Sequence, residues 1–199
     1  IMNLLFYLVS LRHSSVETLE KIAPGVGIIQ AEDRLSSNIY VIESEGEAML
    51  IDTGDGKTDI GRILGKKPAL VILTHNHYDH TKGSREDWNV YLHPKDFEER
   101  EYASVPANAK KIDFDGIRFH EYDFEIYNTP GHTPGSIVLL ERKAKLLFSG
   151  DTLFAGECPG RTDLEGGNER DMQKALKFIE ALDYKILCPG HDEIEKGKR

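Results

Sequence analysis

The run Thr74-His75-Asn76-His77-Tyr78-Asp79-His80 places three histidines and a carboxylate within six residues. Imidazole and carboxylate groups are the common ligands of divalent ions, and packing gives no reason to crowd them so closely. In an extended segment, His75 and His77 project to the same side and can both reach one ion. Asp79 and His80 follow where the chain turns, so they can face a second ion nearby. Three other segments repeat the theme: Thr129-Pro130-Gly131-His132-Thr133, Ser149-Gly150-Asp151-Thr152 and Pro189-Gly190-His191-Asp192. Singly each is weak, since a histidine after Pro-Gly is more often a turn residue than a ligand. Together they put five of the eight histidines at strand ends or in Pro/Gly turns. That number of donors suits two ions.

Positioning such residues requires rigid elements ending at one place. β-Branched and aromatic runs predict strands over 26–31, 38–43 and 48–52, the last ending in the turn Asp52-Thr53-Gly54-Asp55-Gly56. A short helix over 58–64 leads to a continuous apolar run, 69–74, typical of a buried strand, with the His-rich segment directly after it. A strand over 89–92 and a helix over 95–102 follow. The second half predicts strands over 117–122, 124–128, 136–141, 145–149 and 185–188. Met172, Ala175, Leu176 and Ile179 mark one face of a helix over 169–182. Two similar halves of strands with interspersed helices suggest an α/β (α+β) chain built as an αββα sandwich, two packed mixed sheets covered by helices.

The 199 residues fit a single domain, 1–199. Apolar residues are 39% and charged residues 30% of the chain, as in a soluble globular protein. A net charge of −9 argues against a nucleic-acid partner, which needs a basic face. Cys158 and Cys188 lack metal or redox spacing and read as reduced structural thiols, which fits a cytoplasmic protein. The apolar stretch 1–11 is too short to span a bilayer and reads as an edge strand or short helix, not an anchor. His13, His93 and His120 read as surface or packing residues, and Tyr78 as an aromatic packed beneath the ligand loop. The oligomeric state is not legible.

These four segments resemble the metal-binding motifs of the metallo-β-lactamase superfamily, above all its glyoxalase II (hydroxyacylglutathione hydrolase) branch. The resemblance runs from about residue 22 to 192, and its H-x-H-x-D-H element is highly specific. It implies the αββα fold, with His75, His77 and His132 on a first ion, Asp79, His80 and His191 on a second, and Asp151 bridging both. Asp52, in Ile51-Asp52-Thr53-Gly54, matches the family's buried aspartate, which orients ligands. A ligating histidine usually donates its other N–H to such a carboxylate. The donor set suits zinc, and also iron or manganese.

Two divalent ions lower the pKa of bound water to ~7. The hydroxide so formed would attack a thioester carbonyl, with Asp79 able to orient it and one ion holding the oxyanion. Gly150-Asp151-Thr152-Leu153-Phe154 is similar to the glyoxalase II branch. The chain ends soon after His191, as in a compact form without the branch's C-terminal helical domain. Arg161, in Gly160-Arg161-Thr162-Asp163, could meet a substrate carboxylate as a bidentate fork. The β-lactamases of this fold do not keep the bridging aspartate. The nucleases carry large insertions for which residues 81–131 leave no room. The expected activity is therefore glyoxalase II-like hydrolysis of a small-molecule thioester or ester, such as an S-2-hydroxyacylglutathione, without membrane or nucleic-acid partner. The alternatives are a persulfide dioxygenase-like enzyme with a single iron and, from another class, a non-catalytic metal-binding protein.

Overall fold

The computed structural model describes residues 18–31 and 35–197. The expectations for segment 1–11 and for His13 lie outside the described residues. Alternation along one strand shows how the chain serves two interiors. Tyr40 and Ile42 enter one apolar core, whereas Ile39 and Val41 enter another, because successive side chains of a strand point to opposite faces.

The first sheet begins as an antiparallel meander of β1 (Leu19–Ala23), β2 (Val26–Ile29), β3 (Ile39–Ser44) and β4 (Glu47–Ile51). After the short helix α1 (Ile60–Leu64), β5 (Leu70–Ile72) joins parallel to β4. Past the single-turn helix α2 (Tyr78–Thr81), β6 (Val90–Leu92) and β7 (Lys110–Lys111) continue the sheet in parallel. The second sheet starts with antiparallel β8 (Gly116–Phe119), β9 (Tyr122–Asn128), β10 (Ile137–Glu141) and β11 (Leu146–Gly150). A small hairpin, β12 (Leu153–Phe154) with β13 (Cys158–Pro159), precedes the helix α3 (Glu169–Glu180). Then β14 (Ile186–Pro189) pairs parallel to β11, and β15 (Glu195–Lys196) closes the edge.

Both sheets are mixed, and three apolar layers hold the sandwich together. Val26, Tyr40, Ile42, Met49, Ile51 and Ile72 of the first sheet meet Phe124, Ile126, Leu139, Phe148 and Cys188 of the second. Full burial of side chains of this size contributes roughly 1.5–3 kcal/mol each. The outer face of the first sheet is covered by Ile60, Ile63 and Leu64 of α1 together with Trp88. The outer face of the second packs on Ile179 and Leu176 of α3. This is the αββα layering expected from the sequence.

Three local expectations are corrected. Residues 95–102 do not form an α-helix; only the 3-10 turn Pro94–Asp96 is helical. Asp96 is buried there and accepts hydrogen bonds from distant loops, so tertiary contacts override local propensity. The expected strand over 117–122 runs through a tight turn, because His120 at φ +52° reverses the chain between β8 and β9. A two-residue turn without Gly or Asn leaves little compositional mark. Both cysteines are free thiols, but only Cys188 is packed in the core; Cys158 is exposed. Among the described residues, no helix is long and apolar enough to cross a membrane.

Strand direction decides where chemistry can gather. Asp52 follows β4, the His-rich segment follows β5, His132 follows β9, Asp151 follows β11 and His191 follows β14. The parallel pairs β4/β5 and β11/β14 bring these carboxyl ends to one rim of the sandwich. Ile137 N–H donates to the Thr74 carbonyl at 2.9 Å, which stitches the two sheets together along that rim.

Candidate metal centre

The ligand-type atoms of His75, His77 and His132 lie within 4.8 Å of one another, and so do those of Asp79, His80 and His191. Asp151 stands between the two trios. Its Oδ1 is 3.2 Å from His80 Nε2, and its Oδ2 is 3.5 Å from His132 Nε2 and 3.6 Å from His191 Nε2. The structure therefore brings together all seven residues singled out as ligands. Such convergence at the bottom of one cleft is not a packing requirement.

Three of the imidazoles have one ring nitrogen anchored by the protein, leaving the other for the cluster. His80 Nδ1 meets Asp52 Oδ2 at 2.8 Å, His75 Nδ1 meets Thr74 Oγ1 at 3.1 Å, and His132 Nδ1 donates to the Arg161 carbonyl at 2.8 Å. This is how metal-binding histidines are held in one tautomer. Asp52 also accepts from Thr74 N–H at 2.7 Å and from Thr74 Oγ1 at 2.8 Å. It sits in a left-handed conformation, φ +60°, which turns the chain at the end of β4. Thr74 thus links Asp52 to His75, a role that nothing in its residue type announces.

The donor set fits divalent ions on three observations. His75 Nε2 is fully buried without a hydrogen-bond partner, as is Asp151 Oδ1 by geometry, although the latter remains within charge contact of His80. Buried polar atoms are rarely left so. His80 Nε2 and His191 Nε2 are 3.3 Å apart. Two nitrogens each ~2.05 Å from a tetrahedral zinc would be about 3.3 Å apart.

Charge makes the same point. Burial, reinforced by His80 and His132, keeps His75 neutral well below the usual imidazole range, and burial with His132 takes His77 down to about 4. For His80, burial works towards the neutral ring, but the Asp151 and Asp52 carboxylates outweigh it and raise the pKa. Burial also opposes ionisation of Asp151, and His80 and His132 overcome it, holding the carboxyl far below its ordinary range. Asp79 is likewise held low against burial by His191 and His80. Two ionised carboxylates beside the neutral imidazoles of His75 and His77 suit a cation.

Close approach fixes one backbone position. A Cβ on Gly190 would lie 2.1 Å from Asp151 Oδ1 and 2.7 Å from His80 Cε1, so only glycine lets this loop reach the cluster.

Asp96, which sequence reasoning placed on a helix and gave no role, ties the ligand loops together. Its carboxylate accepts from Asn76 N–H at 3.1 Å, Thr133 Oγ1 at 2.7 Å and Gly135 N–H at 2.7 Å. Asn76 lies between His75 and His77, and Thr133 follows His132. Asp96→Ala strands two buried N–H groups, and each is expected to cost roughly 1–3 kcal/mol. Urea unfolding of wild type and variant measures this; an unchanged midpoint would remove Asp96 from this role.

A cleft of about 380 Å³ opens over the cluster, with Leu35, Tyr78, Tyr102 and Leu164 on its walls. Tyr78 therefore lines the cleft instead of packing beneath the loop. Arg161 also lines this cleft, and its guanidinium pairs with Asp163 through two 2.8 Å hydrogen bonds. His93 caps the 3-10 turn at Lys95 N–H, and His120 pairs with Glu45 and Glu47. A larger groove, about 650 Å³, lies at the amino ends of β4 and β5 among Lys66, Lys67 and Trp88. It lacks any comparable set of donors, so volume does not locate the chemistry here.

Comparison with known proteins agrees with this geometry. The family model described as the metallo-beta-lactamase superfamily matches residues 33–191. YqgX of Bacillus subtilis (strain 168), named a probable metallo-hydrolase, is 32% identical over 190 residues, covering 83% of this chain and 87% of its own length. A hydroxyacylglutathione hydrolase of Citrobacter koseri is 33% identical over 158 residues, covering 77% of this chain but only 61% of that enzyme. Among solved structures, the BLEG-1 B3 metallo-beta-lactamase superposes with a TM-score of 0.70 at 26% identity, covering 86% of this chain and 93% of its own. TTHA1623, solved in a di-iron-bound form, superposes with a TM-score of 0.66 at 26% identity, covering 84% and 93%.

Proposed function

We propose that this chain, which belongs to the metallo-beta-lactamase superfamily, is a two-metal hydrolase that cleaves thioesters in the manner of glyoxalase II. Asp151 carries the reading: it lies 3.2–3.6 Å from histidines of both trios, where one carboxylate can serve two ions. The similarity to a hydroxyacylglutathione hydrolase supports the substrate class.

In this reading His75, His77 and His132 hold one ion, Asp79, His80 and His191 hold the other, and Asp151 joins them. Two divalent ions held there would supply Lewis acidity and acidify bound water to ~7. Zinc suits the imidazole-rich set, as do iron and manganese. Asp79, part-exposed on the cleft, accepts a hydrogen bond from the attacking water and aims it. Asp52 keeps His80 in the tautomer that presents Nε2 to the cluster. Tyr78, Tyr102 and Leu164 shield one side of the scissile carbonyl from solvent. Arg161 exchanges its Asp163 partner for a substrate carboxylate. A departing thiolate needs no proton, so no general acid is required. Residues 1–199 act as a single domain in this scheme, and free thiols suit a reducing compartment such as the cytoplasm.

The test pairs metal content per chain, on protein purified without added metal, with hydrolysis of S-lactoylglutathione. Close to two ions together with thioester turnover is the expected result. One iron with oxygen uptake on glutathione persulfide and no thioester turnover would move the assignment to a dioxygenase. Turnover of a chromogenic cephalosporin in place of the thioester would make the chain a β-lactamase.

A further inference from the structure

The ligand loops come from different sheets, and the second trio straddles the join. Asp79 and His80 belong to α2, which follows β5 of the first sheet, whereas His191 follows β14 of the second. His191 Nε2 nevertheless stands 3.2 Å from Asp79 Oδ2 and 3.3 Å from His80 Nε2. Something must hold that spacing across two layers.

The dipeptide Ser37-Asn38, immediately before β3, touches both sides. Ser37 N–H donates to the Asp79 carbonyl at 3.1 Å, and Asn38 N–H donates to the Gly190 carbonyl at 2.6 Å. The Asn38 side-chain amide then donates to the carbonyls of Pro189 and Asp192, each at 3.0 Å. Asn38 is 5% exposed, and both of these partners are acceptors, so the amide orientation is fixed by the network. Neighbours reinforce the clasp: Tyr40 Oη donates to the Pro189 carbonyl at 2.7 Å, and Gln30 Nε2 to the Asp192 carbonyl at 3.3 Å. The carbonyls of residues 189, 190 and 192, surrounding His191, are thus all taken up by the first sheet.

We infer that Asn38 is a positioning residue that sets His191 against Asp79 and His80, and so governs occupancy of the second ion independently of the first. Its hydrogen bonds go to the backbone that carries His191 and not to a proposed ligand side chain. The first trio has its own fastening at Asp96, which Asn38 does not contact. The inference rests on the two-ion reading above.

Wild type, Asn38→Asp, Asn38→Ala and Tyr40→Phe, each stripped of metal, are titrated with zinc against a chromophoric chelator, with thermal melting of the stripped proteins in parallel. Asn38→Asp keeps the volume and loses the donors, and Asn38→Ala removes both without adding charge. The expected result is two zinc sites in wild type. In both Asn38 variants one site stays within about twofold and the other, that of Asp79, His80 and His191, weakens about 10- to 100-fold, the range usual for loss of a ligand-supporting contact. Tyr40→Phe shifts the second site in the same direction but less. A clasp that only stabilised the fold would lower melting and weaken both sites together, and that result overturns the inference. Two sites of unchanged affinity in the Asn38 variants also overturn it. A wild type with one zinc site would sink the two-ion reading itself, which the variants alone cannot do.

Discussion

Asp151→Asn is expected to lower thioester hydrolysis by more than about 100-fold, because loss of a merely supporting contact to a metal site already costs about 10- to 100-fold. Metal content should fall below two ions per chain in the same protein. The carboxylate faces His80, His132 and His191 at once, and so meets histidines of both trios. Its amide is nearly the same size, so packing is kept while the charge and one acceptor are lost. The far-ultraviolet spectrum should therefore stay native, which separates a site defect from a folding defect. Metal analysis and S-lactoylglutathione kinetics on one preparation measure both effects. A variant with two bound ions and turnover within tenfold of wild type would remove Asp151 from the centre of the mechanism.

Asp52→Ala should have the largest effect on stability. Its carboxylate is 2% exposed and accepts from Thr74 N–H, Thr74 Oγ1 and His80 Nδ1 at 2.7–2.8 Å. Removing one partner of a buried charge pair costs about 3–5 kcal/mol when the other is left uncompensated, and since Asp151 still faces His80 at 3.2 Å the lower end of that range is expected. In the metal-free protein that partner is His80, whose proton is held by Asp151 and Asp52. Urea unfolding of metal-free wild type and variant should show the loss directly. Metal-loaded protein should show a larger gap, since the variant also binds its ions less tightly. A loss under ~1 kcal/mol in metal-free protein would mean that Asp52 serves only as a turn residue.

Why the ligand set stood out in the sequence, while its supports did not, follows from what each contributes. His75, His77, Asp79 and His80 act through side chains of distinctive type, at short spacing, after a continuous apolar strand. His132, Asp151 and His191 were legible for a related reason, since each follows a strand and sits beside a glycine. The αββα layering was legible because the continuous apolar runs of β3 and β5 require cover on both faces. The supports act through atoms or contacts that composition does not mark. Arg161 holds His132 with its carbonyl, and every residue type has one. Asn38 acts on three carbonyls more than 150 residues away in sequence, a distance no local pattern can encode. Asp96 lay in a charged stretch that favours an exposed helix, and only its burial reveals a different purpose.

The donors at the rim are delivered in a fixed order as the chain is made. A nascent chain extended only through β7 carries Asp52, His75, His77, Asp79 and His80, but not yet His132, Asp151 or His191. Neither trio is complete at that stage. The first closes when the β9 turn docks, and the second closes only when β14 settles beside β11, the last parallel pairing of the chain. Such long-range pairings form late in folding. In the two-ion reading, neither ion therefore finds a complete set of ligands until the molecule is nearly finished.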